Sequence, residues 1–222
     1  MGPGPVAYYD LDESLPVLAS QLAEYNPQVV EGADDWSAMR ASLQGSGWDD
    51  IGTIVVDSGT RAEEWGAEFV IGTIRNKSGE LVDRIEGFGW GRGYAFIYDE
   101  YVKLLSDLDR HVREGRQVVI ICHDDVCEVP NPQGENWRRY EPRLQTGKHD
   151  VRRRVREWSD HLLFIGYDVE VKKRGSKVGV GTGTRTIWPI ERPHCMAKSR
   201  TMSEAIPYQL DSCDLWDRLL GL

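Results

Sequence analysis

The sequence has no apolar run near the roughly 18 residues that a membrane-spanning helix needs, which excludes a helical span. It also has no basic leader with an apolar core. It opens Met1-Gly2-Pro3-Gly4-Pro5, which does not read as a secretory signal. Cysteine is scarce: Cys122, Cys127, Cys195 and Cys213 are the four in 222 residues. Their spacing is not that of a disulfide framework, so the expected setting is reducing and cytoplasmic, without membrane. Positive charge is not in excess either. The net charge of −9 excludes a protein that coats nucleic acid by bulk charge alone. What remains is 40% hydrophobic and 28% charged residues, enough for a globular domain with a sizeable core.

The charge is unevenly placed. Arg138, Arg139, Arg143, Lys148, Arg152, Arg153, Arg154 and Arg156 face only Glu141 and Asp150 within that stretch. Such a local basic density can meet phosphates although the whole chain is acidic.

Apolar runs and breakers set the expected elements. Val6–Tyr9, Ile51–Val56 and Val118–Cys122 read as buried strands. Ser14 is positioned to cap a helix from Leu15 to about Tyr25, and Asp34 or Asp35 a helix that stops near Gly45. Residues 61–74 read as helical, and Tyr94–Glu114 as a long helix with Ile97, Tyr101, Leu104, Leu105, Leu108 and Val112 on one face. A loop is expected over Asp124–Gly147, then a helix over Lys148–Asp160. Strands are expected at Leu162–Tyr167, Val169–Lys173 and Thr184–Ile190, and a last short helix is capped by Ser212. Alternating strands and helices predict an α/β fold, mainly parallel and flanked by helices, with antiparallel strands near the C-terminus.

In parallel sheets the reactive groups gather at the carboxyl ends of the strands. That rule selects Asp10, Asp12 and Glu13 after the first strand, Asp57 and Ser58 after the second, and His123 after the third. Ile51-Gly52-Thr53-Ile54-Val55-Val56-Asp57-Ser58 has the form of a Walker B strand. There a rigid strand fixes a carboxylate beside a nucleotide-bound Mg²⁺. An ordinary buried strand ending in Asp at a turn has the same text. His123 is equally compatible with sensing a terminal phosphate and with a strand-end histidine bonded to backbone.

Two other chemistries share these residues. Asp10-Leu11-Asp12-Glu13-Ser14-Leu15 resembles the first motif of haloacid-dehalogenase-type phosphatases, with Asp124 and Asp125 left to hold Mg²⁺. Cys122, His123, Cys127, His194 and Cys195 lie closely enough in sequence for a zinc site, without a Cys-x-x-Cys pair.

Longer text points to one family. Gly87-Phe88-Gly89-Trp90-Gly91-Arg92-Gly93-Tyr94, Arg139-Tyr140-Glu141-Pro142-Arg143-Leu144, Arg156-Glu157-Trp158-Ser159-Asp160 and Ala197-Lys198-Ser199-Arg200 resemble segments of phage-encoded RecA-like AAA ATPases of the recombination and single-strand-annealing type. The resemblance runs along nearly the whole chain. It implies one RecA-like P-loop NTPase core over residues 1–222, ATP and Mg²⁺ as cofactors, and a homo-oligomer in a phage-infected or prophage-carrying bacterial host. It implies Asp57 as the metal carboxylate, Asp12 or Glu13 orienting water, and His123 as the phosphate sensor. Ser58 would lie at the nucleotide, and Lys198 and Arg200 near a neighbouring subunit's nucleotide. Single-stranded DNA would meet the segment behind the sensor strand through Trp137, Arg138, Arg139, Tyr140 and Arg143, with Trp90 and Arg92 as a second contact. Arginines pair with phosphates and aromatics stack on bases.

The sequence departs from the family at one point. No Gly-x-x-x-x-Gly-Lys-Ser/Thr is present; Gly147-Lys148 is followed by His149. The expectation is therefore a core truncated before its P-loop, or one that binds DNA as a scaffold without hydrolysis. A separate P-loop fragment is then an expected partner. The missing strand would leave an unpaired sheet edge.

Overall fold

The computed structural model describes residues 3–22, 27–174, 176–209 and 214–220. The chain divides into two compact units. One comprises the residues up to His123 together with Pro142–Val155; the other comprises Asp124–Glu141 and the residues from Arg156 onward.

The first unit is an α/β layer structure. Its strands are β1 (Val6–Asp10), β2 (Gln28–Val29), β3 (Thr53–Asp57) and β4 (Gln117–Ile121), in the order β2-β1-β3-β4 and all parallel. Its helices are α1 (Leu15–Leu22), α2 (Trp36–Gln44), α3 (Gly59–Thr73) and α4 (Arg92–Arg113), with a 3-10 turn at Ile85–Phe88. Asp35 caps α2, accepting from the Ala38 N–H at 2.8 Å. At α1 the acceptor is Asp10 rather than Ser14: Asp10 takes the Ser14 N–H, the Ser14 hydroxyl and the Leu15 N–H. A carboxylate outcompetes a hydroxyl for those orphan donors. The expected continuation of α1 toward Tyr25 lies outside the described residues.

The core forms between α2, α3, α4 and the sheet: Trp36, Met39, Leu43, Ile54, Val56, Ala62, Ile97, Tyr101, Leu104, Leu105 and Leu108 are all buried. The α4 residues recur at spacings of three and four, so one face enters the core. Val112 was expected on that face but is exposed, because His111 takes the inward place in the last turn and bonds the Leu43 carbonyl at 2.9 Å. Gly115, with φ at +90°, ends the helix. A buried Glu100 is satisfied by the Trp36 indole N–H at 3.1 Å and Lys103 at 2.5 Å.

β4 differs from its neighbours. β1 and β3 are mostly buried, whereas every residue of β4 is half-buried or exposed despite the sequence Gln117-Val118-Val119-Ile120-Ile121. Among the described residues β4 has one hydrogen-bonded neighbour, β3. The expected third strand is in place, but as an open edge.

The second unit holds β5 (Asp124–Val129), β6 (Trp137–Pro142), α5 (Val151–Trp158, which starts in the first unit), β7 (Phe164–Arg174), β8 (Ser176–Trp188), β9 (Ile206–Pro207) and α6 (Asp214–Leu220). β5 and β6 form a two-stranded sheet where a loop was expected. Hydrophobic periodicity missed β6 because its inward residues are Arg139 and Glu141, which bury each other as an ion pair at 2.6 Å. β7, β8 and β9 form an antiparallel sheet. The two strands expected at Leu162–Tyr167 and Val169–Lys173 are one. The register shifts between Tyr167 and Val169, where Asp168 alone stands opposite Thr182, Gly183 and Thr184 of β8, and its carboxylate accepts from the Thr184 and Thr186 hydroxyls. Ile187, Met202 and Ile206 form this unit's apolar cluster, with Leu163, Leu215 and Leu219 against it. Ser212, the expected cap of α6, lies outside the described residues.

Candidate active site

Three parallel strands end level with one another. Asp10 pairs with Asp57 in register, and Asp57 with Ile121, so the residues that follow each strand share one rim. The turn after β1 is clamped to that rim by the Asp57 carbonyl, which accepts from Leu11 N–H at 2.6 Å and Asp12 N–H at 3.3 Å. α3 starts at once after β3, and Ser58 Oγ caps it by accepting from the Arg61 N–H at 3.1 Å. The Asp57–Ser58 peptide is cis, and Ser58 is fully buried. Gly59 is required here. A Cβ would stand 2.5 Å from Ile120 and 2.9 Å from the Tyr101 hydroxyl, so α3 packs against the sheet only with glycine at its first position.

Asp57 is partly desolvated. Burial raises its carboxyl above the usual range, and the charges of Asp12 and Asp10 push the same way. Tyr8 opposes this by donating a hydrogen bond to Oδ2 at 2.5 Å, and a protonated His123 would oppose it by charge. The Tyr8 phenol is itself raised, by burial first and then by Asp57.

His123 is held on three sides. Its N–H donates to Thr60 Oγ1 at 3.1 Å, its Nε2 lies 3.1 Å from Asp12 Oδ2, and Arg143 Nη2 lies 3.2 Å from its Nδ1. A guanidinium can only donate, so Nδ1 accepts and the neutral ring carries its proton on Nε2, directed at Asp12. The Arg143 backbone N–H also donates to the His123 carbonyl at 2.8 Å. Arg143 continues to Glu64 at 3.7 Å, and Glu64 to Arg61 at 2.8 Å. Asp12, His123, Arg143, Glu64 and Arg61 thus form one connected polar chain on the rim that carries Asp57. Such a site can fix a hydrogen-bonded water, hold one edge of a metal, and present cations to phosphate oxygens.

The structure brings Asp10, Asp12, Asp57, Ser58 and His123 together. Glu13 follows in the same turn, exposed, with a left-handed φ of 54°. Arg143, expected to face DNA, stands beside His123. Tyr8 and Glu63 were not singled out in the sequence. Tyr8 lies two residues before Asp10 and so shares its side of the strand. Glu63 is one turn into α3. Both its oxygens accept the Gln145 N–H, at 2.8 and 3.0 Å, and burial pushes its carboxyl up to about 7.

The remaining candidates lie elsewhere. Trp90 is 99% exposed with φ at 52°, and Arg92 stacks over Phe96 at 5.9 Å. In the second unit Trp137, Arg138 and Tyr140 are exposed, with Tyr140 stacked on Phe164. Arg139 is buried between Glu141 and Glu191. Lys198 donates to the carbonyls of Arg156 at 2.8 Å and Ser159 at 2.5 Å, closing the C-terminal end of α5. Arg200 pairs with Asp160 at 2.6 Å on the surface.

Two metal-related readings gain nothing from this geometry. No three His, Cys, Asp or Glu side chains gather as a metal site among the described residues. Cys122 has its thiol pushed up to about 12 by burial, which suits an apolar role. The rim does fit a metal that brings its own phosphate ligands, since Mg²⁺ commonly takes one or two carboxylates and completes its shell with phosphate and water. Among the described residues, no side chain is bonded to the other oxygen of Asp57. No helix among the described residues is long and apolar enough to cross a membrane.

No curated protein and no solved structure matches the chain. A family model described as an AAA domain matches residues 14–201, which takes in Asp57, His123 and Arg143. The chain belongs to the AAA domain family of P-loop ATPases.

Proposed function

We propose that this chain is the nucleotide-sensing part of a phage ATPase that acts on DNA in recombination or replication. The observation that carries the reading is the convergence of Asp57, Asp12 and His123 on one rim of a parallel sheet within an AAA domain. Asp57 would hold nucleotide-bound Mg²⁺, whose chemistry is to neutralise phosphate charge. Asp12, with Glu13 in the same turn, holds and orients a water. His123, its ring fixed by Asp12 and Arg143, meets the terminal phosphate.

The phosphate cradle itself is the part this sequence does not spell. We propose that a P-loop strand pairs with the open edge of β4, beside the strand that carries Asp57. An extended apolar edge with free N–H and C=O groups is a template for such a strand. Assembly into a homo-oligomer would bring Arg200 of one copy toward the nucleotide of the next, with Lys198 bracing that segment. Trp137, Arg138, Tyr140 and Trp90 with Arg92 are the proposed single-stranded DNA contacts. The cytoplasm of a phage-carrying bacterial cell is the proposed setting.

ATP turnover tests this reading, measured with and without single-stranded DNA and with and without an added P-loop segment. The chain alone should turn over negligibly, because the cradle supplies most phosphate contacts. The added segment should give DNA-stimulated turnover that Asp57→Ala abolishes. Turnover unaffected by Asp57→Ala would overturn the assignment of the rim.

A further inference from the structure

The antiparallel sheet of the second unit has two unlike faces where it begins. Phe164 and Trp188 stand opposite each other in register, and side chains alternate faces along a strand. The opposite face carries Ile187, 3% exposed, in the apolar cluster with Met202, Ile206 and Leu163. The face of Phe164 and Trp188 meets rings instead. Tyr140 of β6 stacks on Phe164, with centroids 5.1 Å apart and planes 16° from parallel. His194 presents an edge-on contact to both strands, 6.4 Å from Phe164 and 5.0 Å from Trp188. Arg192 lies over the Trp188 ring at 5.6 Å. Side chains from β6, β7, β8 and the turn at Arg192–Cys195 thus make one continuous row.

This row is not closed off as a second core. Phe164 and Trp188 are half-buried, Tyr140 keeps 40% of its surface exposed, and Arg192 and His194 are exposed. Nor does β6 depend on the rings for its place. The Tyr140 N–H donates to the His194 carbonyl and the Met196 N–H to the Tyr140 carbonyl, each at 2.8 Å. Cross-strand pairing accounts for Phe164 with Trp188, but not for Tyr140, which belongs to another sheet, or for the guanidinium of Arg192. The charge beside the row is positive. Arg138 lies two residues before Tyr140, is exposed, and shares its side of β6. The neighbouring carboxylates are taken: Glu141 pairs with Arg139, and Glu191 with Arg139 and Arg156. Among the described residues no carboxylate pairs with Arg138 or Arg192.

We propose that this row is a base-stacking platform for a nucleic-acid single strand. Tyr140, braced from behind by Phe164, takes an unpaired base, and Arg138 and Arg192 meet the flanking phosphates. Trp188 and His194 hold the brace. The inference rests on the reading that a single strand is the partner. It adds Phe164, Trp188, Arg192 and His194 to that reading and singles out Tyr140 as the ring that stacks. Every base has a π-face, so the platform is indifferent to sequence.

The test is fluorescence anisotropy of the full chain with two labelled strands of equal length, one of thymidines and one of abasic residues, over a salt series. The parent should bind the thymidine strand roughly 5- to 100-fold more tightly than the abasic one. Tyr140→Leu should remove most of that preference and leave the slope of log affinity against log salt unchanged; Tyr140→Phe should keep both. Arg192→Gln should lower the slope by about 0.7 and keep the preference. A parent that binds both strands equally, or a Tyr140→Leu variant that keeps the full preference, would overturn the platform while the single-strand reading stands. The parent comparison decides even where Tyr140→Leu does not fold. A parent that binds neither strand at low salt removes both. Tyrosine and arginine also anchor protein interfaces. If Tyr140→Leu sediments as a smaller species than the parent with its strand affinities intact, the row is such an interface and the proposal fails.

Discussion

The hydroxyl of Tyr8 donates a 2.5 Å hydrogen bond to Oδ2 of Asp57 from the neighbouring strand, and no other side chain is bonded to that carboxylate among the described residues. Burial raises Asp57, and the folded chain therefore holds that proton more tightly than the unfolded chain does. Its carboxylate costs stability at neutral pH, and the cost fades as pH falls through the raised value. Asp57→Asn keeps an acceptor for Tyr8 and removes the charge, so its melting temperature at pH 7 should rise by roughly 2–4 °C. The gain should shrink in acid. A thermal melt at two pH values decides it, and a lower melting temperature at both would contradict the account. Tyr8→Phe removes the opposing bond, so the acid limb of nucleotide binding should move to higher pH.

Glu63 makes a second pH-dependent contribution. Its carboxyl is pushed up to about 7 from an ordinary 4.5, by burial first, against the Gln145 N–H and the charge of Arg152. The folded state again prefers the proton, so the cost builds above pH 4.5 and is complete above about 7. Glu63→Gln should be more stable than the parent at pH 8, by at most about 3 kcal/mol, with the difference closing toward pH 5. Urea unfolding at both pH values measures this; a constant difference would show that Glu63 does not titrate in that window.

Arg139 should behave as a structural residue. It lies between Glu141 and Glu191 with its side chain 9% exposed. Removing one partner of a buried ion pair strands the other charge, so Arg139→Ala should cost about 3–5 kcal/mol. Any effect of that variant on DNA affinity would then follow unfolding. Arg138→Ala, on an exposed side chain, should change stability by less than about 0.5 kcal/mol while flattening the salt slope of DNA binding. Equal stability of the two variants would reverse this division.

Trp90 offers the opposite case. An indole 99% exposed at a left-handed φ contributes nothing to the core. Trp90→Ala should leave unfolding within about 0.5 kcal/mol of the parent. If the ring stacks on a base, the variant should lose about 1–3 kcal/mol of single-strand affinity with an unchanged salt slope. A flattened slope would mean that the loss came through charge and not through stacking.

Much of the first unit was legible because it obeys apolar periodicity. The runs at Val6, Ile51 and Val118 became strands, and Ile97 through Leu108 became a buried helical face. The rule that reactive groups gather at strand ends put Asp10, Asp12, Asp57 and His123 on one rim, and the parallel register has them there. β6 was not legible because its inward face is ionic, and one long strand was split in two because Asp168 looked like a turn. Tyr8 escaped, and Arg143 was expected at DNA and not beside His123, because their contacts belong to partners 49 and 20 residues away. Residue type alone says nothing of such a distance.

The level ending of β1, β3 and β4 ties this site to the packing beneath it. Side chains on a strand alternate faces, so a slip of one residue in β3 would exchange Ile54 and Val56 with Val55 and carry Asp57 away from Tyr8. No local adjustment at the rim could compensate. Substitutions that loosen the grip on Ile54 or Val56 should therefore surface first as lost nucleotide handling, before any change in the amount of folded protein. The rim is then tolerant of change on the helices' outer faces and intolerant at two buried apolar residues that lie outside it.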